Sequence, residues 1–256
     1  MTALSEALGL SQLWLWHGFL ILLRVGAAMS LAPGFGEQSL PVRIKLAASV
    51  MVTVVLAPLI PVFDQSLWAF SALLKFTASE VAIGLLIGIG LRLFVLALQT
   101  AGSIAAQSTS LSQILGASAE PMPAMGHVLV IGGLALAMAT GFHVQVLGYL
   151  AGSYDLFPAG KMPLSSVVAD WGTSQISLSF KLAFQLAGPF VLVSLLYNLA
   201  LGAINRGMPQ LMVAFVGAPA ITAGGLALLA ILAPQMLHLW VIALQAFASD
   251  PGGALR

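Results

Sequence analysis

The ionisable residues of this chain are few and dispersed, which limits the chemistry it can do. His17, His127, His143 and His238 each stand without a second histidine or a carboxylate three or four residues away. None therefore begins a metal-binding pair on one helix face. There are no cysteines, which removes disulfides, thiolate metal sites and a cysteine nucleophile. No serine–histidine–aspartate ordering, carboxylate pair or phosphate-cradling glycine loop stands out. Gly88-Ile-Gly90 lies inside an apolar tract with no strand before it, so it is not a dinucleotide fingerprint. The chain reads as non-enzymatic, with no cofactor and no metal.

Charges inside or bordering apolar tracts are the next candidates: Arg24, Glu80, Arg92, Lys181 and Arg206. Long side chains near the end of a span snorkel to the interface at little cost, and Arg24 and Lys181 lie within a turn or two of plausible ends. Arg92 is deeper. It is twelve residues from Glu80, about 18 Å along a helix, so those two cannot pair with each other. A buried arginine needs a carbonyl or carboxylate from elsewhere in the chain or from a partner. Arg92 is therefore expected to face protein or a water-filled cavity, and all five charges are candidate buried-charge or partner-contact sites.

The third feature is the polar segment Gln99–Met125, whose only charge is Glu120. Gln107, Ser108, Thr109, Ser110, Ser112 and Gln113 are interleaved with Leu111, Ile114 and Leu115, and Gly102 and Gly116 bracket the run as hinge positions. So many polar atoms are costly in hydrocarbon, while the aliphatic residues would be wasted in water. One reading is an ordinary linker between two spans. The other is a segment that lines or fills a cavity inside a membrane-associated assembly, with Gln107–Gly116 as lining or plug.

The elements that must position these residues are helices in a greasy chain. Of 256 residues 60% are hydrophobic and 7% charged, where a soluble domain has about a quarter charged; the mean hydropathy is +1.04. A net charge of +1 with no basic run offers nothing to nucleic acid. Six apolar tracts are expected at Leu8–Leu31, Ile44–Phe63, Val81–Ala106, Met125–Ala151, Ile176–Ile204 and Leu211–Phe247. With no basic residue before Leu10, Leu10–Leu31 reads as a retained first span rather than a cleaved leader. Asp64 is placed as the N-cap of a short amphipathic piece, Gln65–Ala78, and Gly84 and Gly88 form a small-xxx-small pair for close helix packing. Gly152–Ser174 is the polar excursion. The last tract is too long for one span of about 20 residues, and Pro219, Gly224, Gly225 and Pro234 are expected to divide it. Basic residues do not fix the orientation. The fold class is all-α: multi-pass hydrophobic helical hairpins, proline-broken, in one domain over 1–256.

A family resemblance sharpens this. Asn205-Arg-Gly-Met-Pro-Gln-Leu-Met-Val-Ala-Phe-Val-Gly-Ala-Pro219 resembles the Pro-Gln-containing signature of the flagellar biosynthetic protein FliR family. Arg24-Val-Gly-Ala-Ala-Met-Ser-Leu-Ala-Pro-Gly-Phe-Gly, followed by Leu40-Pro-Val-Arg-Ile-Lys45, resembles its N-terminal signature. Glu80-Val-Ala-Ile-Gly-Leu-Leu-Ile-Gly88, Gly141-Phe-His143 and Leu156-Phe-Pro158 are similar to its middle. The resemblance runs from about residue 10 to 245 and implies a non-enzymatic export-gate subunit of bacterial type III secretion. It implies assembly with FliP-like and FliQ-like subunits and other export components at the core of the flagellar basal body. It also implies unfolded flagellar proteins as cargo, and an inner-membrane location with part of the assembly above the membrane on the periplasmic side. The family places a plug loop in the export channel, and Gln107–Pro121 is the matching position. Two departures stand out: no aromatic residue occurs in that loop, and Met212 replaces the usual asparagine after Pro-Gln-Leu.

Two alternatives remain beside the flagellar gate. One is the same subunit of a virulence-type injectisome. The other is a standalone secondary transporter, which would use broken helices and the charges at Arg92, Glu80 and Lys181; it needs an internal repeat, for which Ala32-Pro-Gly-Phe-Gly and Val216-Gly-Ala-Pro-Ala offer only faint similarity.

Overall fold

The computed structural model describes residues 2–62, 70–109, 124–207 and 213–250, and among these there is no strand. Seven α-helices follow in order: α1 (Thr2–Leu31), α2 (Val42–Leu56), α3 (Phe70–Thr109), α4 (Ala124–Ala139), α5 (Phe142–Leu156), α6 (Ser165–Gly207) and α7 (Val213–Ser249). A 3-10 turn, Ala57–Leu59, closes α2. The expected N-cap at Asp64 lies outside the described residues.

Five helical stretches are long and apolar enough to cross a membrane, or up to six if the broken pair α4 and α5 counts as one. Three are far longer than a span requires. Helices α3, α6 and α7 have 40, 43 and 37 residues, about 55–65 Å at 1.5 Å per residue, against a hydrocarbon core of about 30 Å.

Two differences from the expected tracts have local causes. The tract Leu211–Phe247 is not divided: α7 runs through Pro219, Gly224, Gly225 and Pro234, as α6 runs through Pro189. A proline removes one backbone donor and bends a helix, but the ladder resumes on its far side. The tract Met125–Ala151 is the one that breaks, at Thr140–Gly141, where Gly141 adopts a left-handed φ of 83° that ends one helix and opens the next. The polar excursion is also shorter as irregular chain, since α6 already begins at Ser165.

The chain forms two compact units. One comprises Met1–Leu93, Thr140–Gln175 and Leu244–Arg256, the other Phe94–Ala139 and Ile176–Ala243. In the first, α1 and α2 make a hairpin across the turn 32–41. Within it the Lys45 ammonium donates to the Gly36 carbonyl at 3.1 Å, and one ring nitrogen of buried His17, Nε2, lies 2.9 Å from the Ala57 carbonyl oxygen. Ile21, Val25, Ile83, Leu91, Phe142 and Leu150 fill its core. In the second, Val95, Leu98, Leu129, Leu186, Phe190 and Trp240 are buried, and the Trp240 indole donates to the Phe94 carbonyl at 2.7 Å. Half of the apolar stretch of α3 is buried, against 17% for those of α2 and α6; α3 is the packed helix, and α2 and α6 present apolar surface outward.

Candidate functional site

The most tightly specified site in the first unit grows from one helical stripe. Glu80, Gly84 and Gly88 recur every four residues on α3 and so share a face. That face meets α1. A Cβ added at Gly84 would strike the Arg24 carbonyl oxygen and stand 2.8 Å from the Ala27 Cβ; one added at Gly88 would stand 2.9 Å from the Ala28 carbonyl oxygen. Rising numbers on both helices make the pair parallel. The glycines bring the backbones together, and Glu80 at the head of the stripe meets Arg24.

Both side chains are wholly buried. Arg24 Nε donates to Glu80 Oε2 at 2.7 Å and Nη2 to Oε1 at 3.0 Å, a bidentate pair. The remaining guanidinium donors reach α5 and the turn after it: Nη1 donates to Ser153 Oγ at 3.2 Å, and Nη2 also to the Phe157 carbonyl at 3.0 Å. The guanidinium lies 3.7 Å from the centre of the Tyr154 ring, a cation–π contact. Glu80 in turn accepts the Gly160 amide at 3.2 Å and the Tyr154 hydroxyl at 3.4 Å. Gly160 has φ 76°, and a Cβ there would strike the Phe76 ring. The desolvation of two charges is therefore offset by attraction and by nearly complete hydrogen bonding, and four chain segments meet at one ion pair. A small apolar cavity of about 20 Å³ beside it, lined by Leu86, Tyr149, Ser153 and Trp171 among others, has room for a guest no larger than one water.

The other charges separate. Arg92 does not meet Glu80; its Nη1 donates to Glu37 Oε1 at 2.8 Å, in the turn after α1, with the side chains about a quarter and a fifth exposed. Arg92 is therefore half-buried and paired with a carboxylate of its own unit. Lys181 and Arg206 lie on the exposed surface of α6. His127, His143 and His238 are exposed, and among the described residues no three His, Asp or Glu side chains group as a metal site would require. The sequence reading did not anticipate the roles of Ser153, Tyr154 and Gly160. The one signal was the turn-like Pro158-Ala-Gly160 after an apolar tract.

In the second unit the polar segment begins as helix, not loop: α3 continues to Thr109. Gln107 is exposed, Ser108 half-buried and Thr109 buried. The Ser194 hydroxyl of α6 donates to the Ser108 carbonyl, which a helix end otherwise leaves unsatisfied, and Asn198 Nδ2 donates to Ser194 Oγ at 3.2 Å. The Thr109 side chain packs on Gly225 of α7, and Gly102, taken above as a hinge, is instead a contact point that admits Gly126 of α4. Ser110, Leu111, Ser112, Gln113, Ile114, Leu115 and Gly116 lie outside the described residues.

The sequence matches the family described as bacterial export proteins, family 1, over residues 15–247. The chain belongs to this family. Its relatives include the flagellar biosynthetic protein FliR of Caulobacter vibrioides, 35% identical over 225 residues, covering 86% of this chain and 90% of the relative. FliR of Escherichia coli is 33% identical over 224 residues, covering 86% and 85%, and FliR of Aquifex aeolicus 26% over 204, covering 79% of each. This export-family chain is thus a subunit of the flagellar type III export gate, an apparatus component with several apolar helices in the bacterial inner membrane. Within the matched region lie both the Arg24–Glu80 cluster and the end of α3.

Proposed function

We propose that this export-gate subunit assembles with FliP-like and FliQ-like subunits and, without catalysis, closes the channel for unfolded flagellar proteins with the segment Gln107–Pro121. The observation that carries this reading is the fixed end of α3. The Ser108 carbonyl is held by Ser194, and Thr109 is packed against Gly225. A plug must enter its channel from a firm base, and Ser108 and Thr109, at the start of this segment, supply one. The aliphatic residues Leu111, Ile114 and Leu115 supply bulk, and the flanking hydroxyls and amides supply weak contacts that partner movement can release. Helices of about 55–65 Å exceed the hydrocarbon core roughly twofold, which supports an assembly that rises out of the membrane plane, and we take the periplasmic side from the family resemblance.

The test is Gly116→Arg in the chromosomal copy. The expected result is altered export or a measurable small-ion leak across the inner membrane. Normal swimming, normal secretion and unchanged ion permeability together would sink the plug.

A further inference from the structure

Helix α6 carries a second pattern that the plug does not use. Leu178, Lys181, Gln185, Gly188, Leu192 and Leu195 alternate spacings of three and four residues, and the run continues to Leu199. That alternation is the seam of a helix that packs side chains into the gaps of another helix. Among the described residues no helix of the second unit covers it: Leu178, Leu192, Leu195 and Leu199 are each more than half exposed, and Lys181 and Gln185 are exposed with them. Neither Lys181 nor Gln185 has a hydrogen-bond or ion-pair partner among the described residues.

Lipid alone does not account for this face. A lysine can snorkel from an apolar helix, but the amide of Gln185, one turn on, is shorter and reaches less far along the helix surface. A polar residue at one seam position of an apolar helix pair sets register and partner choice, and a lysine there calls for an opposite charge. Gly188, one turn beyond, lets a second backbone come close.

We propose that the α6 seam is the docking surface for an apolar helix of another chain. That helix carries one carboxylate, which pairs with Lys181 and accepts a hydrogen bond from Gln185, and so fixes the register of the two helices. The proposal rests on the export-gate assembly and names the chemistry of one contact within it. The aliphatic part of the seam supplies contact area, and the charge pair rejects helices that lack the carboxylate or carry it a turn away.

The experiment uses the full chain in native membranes, with the photo-reactive residue p-benzoylphenylalanine at Leu178 or at Leu192 and the cross-linked peptides read by mass spectrometry. Both positions are expected to reach one apolar helix of a different chain, with an Asp or Glu between the two attachment points. In parallel, Lys181→Glu is expected to lower recovery of that chain with the tagged protein by about thirtyfold, and changing the partner carboxylate to lysine restores it. Lipid adducts at both positions, a cross-linked helix without an acidic residue, or unchanged recovery in Lys181→Glu would each overturn the proposal. So would loss of the same recovery in Glu120→Gln, which would make this chain's own polar segment the counter-charge. If the unsubstituted protein purifies without other export subunits, the assembly reading fails as well; if it purifies with them while α6 touches only lipid, this inference alone fails.

Discussion

Arg24 and Glu80, 56 residues apart in the chain, share two hydrogen bonds of 2.7 and 3.0 Å with neither side chain exposed. Removing one partner leaves the other charge buried without compensation, at a cost of about 3–5 kcal/mol. Arg24→Ala and Glu80→Gln are expected to lower the thermal midpoint of the detergent-purified protein and to reduce its level in membranes. Exchanging the two, Arg24→Glu with Glu80→Arg, should recover only part of the loss. The Phe157 carbonyl would then face a carboxylate, and the Gly160 amide a guanidinium. Full recovery would show that the surrounding groups are indifferent to the polarity of the pair.

The approach of α1 to α3 depends on Gly84. Gly84→Ala places a methyl group against the Arg24 carbonyl and the Ala27 Cβ, and overpacking of this kind costs about 1–3 kcal/mol. Gly26→Ala is the control, because a Cβ there meets nothing within 4 Å. It should be neutral, or stabilising by up to about 1 kcal/mol through helix propensity. Equal thermal midpoints for the two variants would contradict the packing account.

At Gly160 two costs can be separated. Gly160→Ala must hold a side chain at φ 76° and also push the Phe76 ring aside. The backbone term alone is about 1–2 kcal/mol. Adding Phe76→Leu should relieve the collision and leave the backbone term. Thermal denaturation of the single and double variants is expected to show partial, not complete, recovery.

Ser194→Ala removes the donor that satisfies the Ser108 carbonyl. The expected cost is about 0.5–1.5 kcal/mol, with its effect confined to the end of α3. Hydrogen exchange should quicken in the last turn before Thr109 while the amides around Arg24 keep their protection. Unchanged exchange at Ala105–Thr109 would remove Ser194 as an anchor.

Much of the architecture was legible in advance, for reasons visible in particular residues. The apolar tracts read as helices because their length and near-absence of charge leave few other ways to satisfy a backbone out of water. Gly84 and Gly88 read as a close-packing pair because spacing by four places them on one face, and they are used that way. The break at Gly141 was missed because one glycine in an apolar run carries no signal of its φ. The continuity of α7 through Pro219 and Pro234 was missed because a proline in sequence marks a weakened rung without saying whether the helix resumes.

The site divides along the same line. Composition and periodicity by themselves determined that this is an all-α membrane chain with a handful of charges, because those conclusions depend on residue type and local spacing. Which charges meet was decided by the tertiary structure alone. Arg24 pairs with Glu80 and Arg92 with Glu37, because two parallel helices packed at Gly84 and Gly88 set which side chains stand opposite one another. Lys181 is left on an open face for the complementary reason: among the described residues no helix of its own unit covers the seam on which it lies.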